Sequence, residues 1–277
     1  MVSQLMGAVV RGILVALLIA LPSIIVPGHH SDSSQVVALL GIFLGFLTAI
    51  EYASVYPSLV EFRDAPPFNR IRYLSLLVMV TLVSVIAGDF ETPSILARFT
   101  HAVGTVIGNA MDFPYSPVRL FVLALPADAS ASVVDLVRVS AGLCYLISLV
   151  SLAIFMIILR MGHWPARGVS FNVWVNLPTF DPTAGRDVVE RLTRDARLNT
   201  ILGFLLPFVA PVVMESTSSV FQGFTIESPQ TLVWTVCAWA FLPASLFMRG
   251  IAMGRIAYLI QEKRQSTIAE QDGLLPA

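Results

Sequence analysis

Long apolar runs, separated by polar connections of very unequal length, set the pattern of this chain. Six of them meet or approach the roughly 20 apolar residues that a helix needs to cross a bilayer core of about 30 Å. They cover residues about 8–27, 36–57, 72–88, 137–160, 200–220 and 231–249. Pro22, Pro57, Pro207, Pro211 and Pro243 fall within these runs and predict kinks. Membrane helices tolerate such breaks where neighbours satisfy the freed carbonyls. The pattern predicts an all-α fold, a polytopic membrane helical bundle of about six transmembrane helices. An amphipathic surface helix on the external side and a structured cytoplasmic loop complete it.

Two connections are long enough to carry structure. Residues 89–131 contain "SILARFTHAVGTVIGNAM", in which Ile95, Leu96, Phe99, Val103, Val106 and Ile107 recur at helical spacing. One apolar face at that spacing predicts a helix lying along the outer membrane surface. Its small residues also allow the turn of a re-entrant segment. "PYSPVRLFVLALP" then leads into the fourth run and is too short to cross. Residues 161–199 form the internal loop and helix. There "VSFNVWVNL" alternates with period two, which predicts a short extended segment. "DPTAGRDVVERLTRDARLN" reads as an amphipathic helix capped by Asp181 or Thr183 and running into the fifth span. The sixth span is predicted to continue past the membrane, before a loose tail over 265–277.

Composition strengthens the membrane reading. Of 277 residues, 56% are hydrophobic and 13% charged, and mean hydropathy is +0.79. Soluble domains have about a quarter of their residues charged, so lipid must replace water as the main solvent. The net charge of −1 argues against a nucleic-acid partner. Charge is sorted by position. Arg11, Arg63, Arg70, Arg72, the arginines from Arg160 to Arg197, and Arg249, Arg255, Lys263 and Arg264 fall on one side of the predicted spans. Arg98, Arg119 and Arg138 fall on the other, with Asp32, Asp89, Glu91, Asp112, Asp128, Asp135 and Glu227. The positive-inside rule then places both termini in the cytoplasm. Lys263 is the only lysine, an arginine bias that fits a GC-rich genome and a bacterial inner membrane.

The stretch "LLGIFLGFLTAIEYASVYPSL" carries the most suggestive chemistry. Gly41, Gly45, Ala49 and Ala53 recur every fourth residue, a small-residue stripe that lets helix backbones approach closely in lipid. Glu51 lies about 22 Å along that run, which leaves it about 8 Å inside the cytoplasmic boundary. A carboxylate there must face protein or water. It serves either as a proton- or cation-binding group, with Thr48 and Ser54 in support, or as a tie between span two and another helix. Glu215, beside Ser216, is a second deep acid near the external end of span five, where Pro207 and Pro211 could open the backbone. Arg138 has Asp135 one helical turn earlier. His29 and His30 sit together in a short loop, and adjacent residues are poor substitutes for spaced metal ligands. Cys144 and Cys237 read as small buried hydrophobes.

No catalytic, metal or cofactor pattern is legible. The expected function is therefore that of a non-catalytic accessory, scaffold or assembly subunit of a larger membrane complex, with membrane lipid and protein partners in the bilayer. The competing class is a small ion- or solute-translocating transporter or channel using Glu51 and Glu215.

Overall fold

The computed structural model describes residues 2–26, 31–88, 93–161, 164, 172–181, 185, 187–217 and 228–271. Every regular element among them is helical. In chain order these are α1 (Val2–Ile25), α2 (Ser31–Ala53), α3 (Phe68–Ala87), α4 (Ile95–Met111) and α5 (Pro117–Leu123). After them come α6 (Ala131–Met161), α7 (Val173–Asn176), α8 (Val188–Thr217) and α9 (Pro229–Gln271). Six of the nine, α1, α2, α3, α6, α8 and α9, are long and apolar enough to cross a membrane. The molecule is a helical membrane bundle.

Helices α3, α6 and α9 pack on one another at the centre. The α1–α2 hairpin leans on α3 through α1, and α8 lies along α9. Single hydrogen bonds stitch α1 to its neighbours α3 and α9. The Tyr73 hydroxyl donates to the Leu14 carbonyl at 2.9 Å, and the Gln230 amide to the Ser23 hydroxyl at 2.7 Å. A buried apolar core runs through the middle, including Met79, Val80, Cys144 and Val236. A second, aromatic-rich core sits at the end that carries Arg63, Arg249 and Arg255, called here the basic end.

The proline kinks resolve in a particular way. Pro207 and Pro211 lie inside an unbroken 30-residue α8. Because Pro211 has no N–H, the Pro207 carbonyl loses its helical donor. The buried indole N–H of Trp239 donates to it instead, at 3.1 Å. Pro57 kinks nothing, because α2 ends at Ala53, four residues before it.

Three expectations about the connections need correction. The period-two segment is not extended where it is described: residues 173–176 form a helical turn. Its apolar side is covered by the aromatic core, where Leu177 and Phe180 are buried, so no strand partner is needed. Residues 265–271 are not a loose tail but the last turns of the 43-residue α9. Extending a formed helix costs far less than starting one. Helix α8 starts at Val188, after both suggested caps. The carboxylate of Asp187 accepts the N–H groups of Val189 and Glu190 in their place, whereas Thr183 lies outside the described residues.

A helix stands where the amphipathic pattern predicted one: α4, capped by Ser94, whose side chain accepts the Ala97 N–H at 3.1 Å. It contains no turn. Gly104 and Gly108, which permit a re-entrant turn on paper, press α4 onto α6 instead. A Cβ on Gly142 of α6 would stand 2.6 Å from the Cα of Gly108. Helix α5, capped by Ser116 with Pro117 at its start, buries Val118 and Phe121 in the main core.

Candidate functional site

The densest polar arrangement is a knot at the basic end, built on the 54–67 connection between α2 and α3. Glu51 lies two residues before the end of α2 and is 6% exposed. The chain doubles back beyond Ala53 and aims three successive backbone N–H groups at its carboxylate. Oε2 accepts from Ser58 at 2.9 Å, Leu59 at 2.8 Å and Val60 at 3.2 Å. Oε1 accepts the Ser58 hydroxyl at 2.6 Å. The last carbonyls of a helix need partners from elsewhere, and Arg63 supplies them. Its Nη1 donates to the Glu51 carbonyl at 3.4 Å and to the Ser54 carbonyl.

The same loop reaches three other elements. Glu61 receives a two-pronged hydrogen bond from Arg249 of α9, at 2.6 and 2.8 Å, and another from the Thr179 hydroxyl at 2.8 Å. Asn69 of α3 donates to the Glu61 carbonyl at 2.7 Å. Asn176 of α7 takes the N–H of Phe62 on its carbonyl at 2.7 Å and that of Asp64 on its side chain at 3.0 Å. Phe62 adopts φ 52°, a left-handed conformation that few residues other than glycine visit. Its buried ring meets Phe68 at 4.4 Å and Trp164 at 5.9 Å between centroids. Arg72 stacks over Phe68 at 5.0 Å, and Arg11 over Tyr52 at 4.6 Å. Arg11, Arg63, Arg72 and Arg249 thus outnumber Glu51 and Glu61.

Of the other sequence-predicted residues, Ser54 joins the knot through its carbonyl and the rest are not gathered here. The Thr48 hydroxyl bonds back to the Leu44 carbonyl at 2.8 Å, and that of Ser54 to the Tyr56 carbonyl at 2.8 Å. Ser216 does the same with Val212 at 2.8 Å. Glu215 is exposed in the last turn of α8, at the end opposite Glu51. Apolar side chains fill most of the interior between the two acids, with isolated buried serines such as Ser140 and Ser148 among them. His29 and His30 lie outside the described residues. Cys144 and Cys237 are buried free thiols on α6 and α9, with Sγ atoms 4.0 Å apart.

The small-residue stripe is used within the chain. A Cβ on Gly45 would come within 2.6 Å of the Gly12 carbonyl oxygen, and one on Gly41 within 3.2 Å of that of Ala16. Ala49 joins this contact, its Cβ 3.1 Å from where a Gly12 Cβ would sit, while Ala53 closes the stripe half-buried. A matching signal lay in α1, where Ala8, Gly12, Ala16 and Ala20 also recur every fourth residue.

Two functional groupings escaped sequence reasoning. One is the Glu61–Arg249 pair, 188 residues apart, for which no local pattern exists. The other is Asp112, which meets Arg119 at 3.0 Å and Arg138 at 2.8 Å and so ties α4, α5 and α6. Arg138 also keeps its local pair with Asp135 at 3.3 Å. Chemically, the knot is a set of saturated acceptors and helix ties. No protein-family model, curated protein or solved structure matches this chain, and its own geometry carries the functional reading.

Proposed function

We propose that this protein is a non-catalytic accessory, scaffold or assembly subunit of a larger complex in a bacterial inner membrane, with both termini in the cytoplasm. One observation carries the reading. Among the described helices α2 packs along α1 alone, apart from Tyr52 near its end, which hydrogen-bonds Asn69 of α3, so an apolar face runs unpartnered down its length. Leu39, Ile42, Phe43 and Phe46 on that face are 62–68% exposed. The face continues past the helix onto Val55, Tyr56 and Leu59, which are 61–77% exposed. Lipid tails cover the helical part, whereas the loop part calls for another protein. Exposed apolar patches continuous with a packed element are common docking surfaces. The knot supports this role, because its polar groups hold the presenting loop in one shape.

The orientation rests on the gathering of Arg63, Arg72, Arg191, Arg249 and Arg255 at one end of the bundle. Photoreactive residues placed at Phe43 and at Tyr56 test the docking role in intact membranes. One protein of fixed mass cross-linked from both positions is the expected result. Lipid adducts alone, together with a monomer on purification in mild detergent, count against it. The transport alternative is tested separately in proteoliposomes. Ion or solute flux that Glu51→Gln and Glu215→Gln abolish would replace the scaffold reading.

A further inference from the structure

Three arginines of α8, Arg191, Arg194 and Arg197, recur every third residue just before that helix turns apolar. They line a surface groove of about 520 Å³ together with Glu190, Thr193 and Leu198. Three guanidinium groups thus share the groove with the Glu190 carboxylate, and Asp195 lies beside one of them. Arg191 is partly spent, its head over the Phe180 ring at 4.7 Å and bonded to the Asp181 carbonyl. Arg194 and Arg197 are exposed. Arg194 has Asp195 at 3.5 Å, and among the described residues no hydrogen bond or ion pair engages Arg197. The hydroxyls of Thr193 and Thr200 donate to carbonyls of their own helix, Val189 and Ala196. Guanidinium N–H groups are therefore the donors that the groove offers.

Through Thr193 and Arg197 the groove opens into a second trough of about 370 Å³ between α8 and α9, floored by Gly250 and Gly254. The two glycines differ. A Cβ on Gly250 would stand 2.7 Å from the Ala196 carbonyl oxygen, so glycine is needed there for close helix packing. A Cβ on Gly254 would meet the Ala196 Cβ at an ordinary 3.7 Å. A side chain would fit, and its absence leaves the trough open. Beyond Arg197, Leu198 and Ile201 are 52% and 54% exposed, so the edge of the hydrocarbon falls at this point of the helix.

We infer that this continuous groove binds an anionic phospholipid, its headgroup phosphate on Arg194 and Arg197 and one acyl chain entering the trough over Gly254 and running on past Gly250 and Ile201. A cationic mouth at the water boundary and an apolar trough below it match both ends of an amphiphile. Free phosphate uses only the first. Basic pockets between membrane helices are a recurring form of headgroup recognition. The inference is independent of any protein partner at α2.

The purified full-length chain in neutral detergent, titrated with phosphatidylglycerol or phosphatidylcholine and read by native mass spectrometry, provides the test. Each guanidinium near a headgroup contributes about fivefold in binding, so the preference for phosphatidylglycerol is expected on the order of 25-fold. The Arg194→Gln/Arg197→Gln double variant should bring that ratio close to one at unchanged melting temperature, since both side chains are exposed. Gly254→Leu, which fills the trough without touching charge, should weaken both lipids. Equal binding of the two lipids by the wild type would overturn the inference, as would a preference that survives the double variant. Gly254→Leu without effect removes the acyl-chain trough, and competition by inorganic phosphate at the lipid's own concentration reduces the groove to a phosphate site.

Discussion

Replacing Glu51 decides whether the intramembrane carboxylate of this protein organises a loop or moves an ion. In the structure it accepts four hydrogen bonds, three of them at 2.6–2.9 Å. A hydrogen bond to a charged group contributes about 1.5–3 kcal/mol net, so the three short ones give a gross ceiling of about 5–9 kcal/mol. Ser58 and Leu59 are exposed, however, and water can take their N–H groups once the carboxylate is gone. That lowers the expected cost of Glu51→Ala to about 2–4 kcal/mol, near the upper range for single substitutions. At about 2–4 °C per kcal/mol for a chain of this size, the melting temperature should fall by roughly 4–16 °C. Glu51→Gln keeps one oxygen for the backbone donors and turns its amide toward the Ser58 hydroxyl, which can accept. Its loss should be about half as large. The assay pairs thermal unfolding in detergent with amide exchange. Protection should drop at Ser58, Leu59 and Val60 while the middle of α2 stays protected. Wild-type melting and exchange in both variants would refute the cage. If Glu51→Gln also abolished a measured flux, the carboxylate would be a translocating group.

Further consequences follow from the packing. Gly45→Leu forces α1 and α2 apart, because even a Cβ there would meet the Gly12 carbonyl oxygen at 2.6 Å; a loss of several kcal/mol is expected, on the order of other overpacked contacts, visible as new protease sensitivity between the two helices. Arg249→Ala leaves Glu61, whose side chain is 14% exposed, without its two-pronged partner. About 2–4 kcal/mol should be lost, less than for a fully buried pair, and Glu61→Gln should restore part of it in a melting assay. Trp239→Phe strips the Pro207 carbonyl of its donor and should cost about 1–3 kcal/mol, while adding Pro211→Ala, which returns a helical N–H, should remove most of that penalty. Asp187 is held below the ordinary aspartate range by its hydrogen bond from Arg264 and by the α8 N–H groups. This tie between α8 and α9 is complete above the ordinary aspartate pKa and is lost as pH falls through the lowered value. Distances between spin labels near the two helix ends should lengthen only in acid, and in Asp187→Asn at every pH.

Much of the site was unreadable in the sequence for a definite reason. Glu51 was legible as a carboxylate that had to be hidden, since it stands in an apolar run. Its partners are backbone N–H groups of its own following loop, and a backbone donor has no signature in side-chain identity. The expectation put it about 8 Å inside the boundary by counting about 22 Å along an apolar run drawn out to residue 57. The helix stops at Ala53, and Val55 and Tyr56 lie exposed in the loop. The small-residue stripe was recognised on α2 as a close-packing face, but its partner stripe on α1 went unused, so which helix it meets stayed open until the structure paired it with α1. Thr48, Ser54, Glu215 and Ser216 looked like a polar path because depth can be counted along a helix. The face toward which each points cannot be counted when neighbours are unknown.

What the sequence determined by itself is the number of apolar spans, the amphipathic helix α4 and the sorting of arginine to one end. These follow from local quantities: the length of an apolar run, its periodicity and the cost of carrying charge into oil. Only the tertiary structure decided where α2 ends, what covers 172–181, and that Glu61 meets Arg249. Those depend on which helices lie side by side, and in a bilayer that choice is made by shape and by single hydrogen bonds between residues far apart in the chain. Hydrophobicity cannot make it, because lipid is as apolar as the helices themselves.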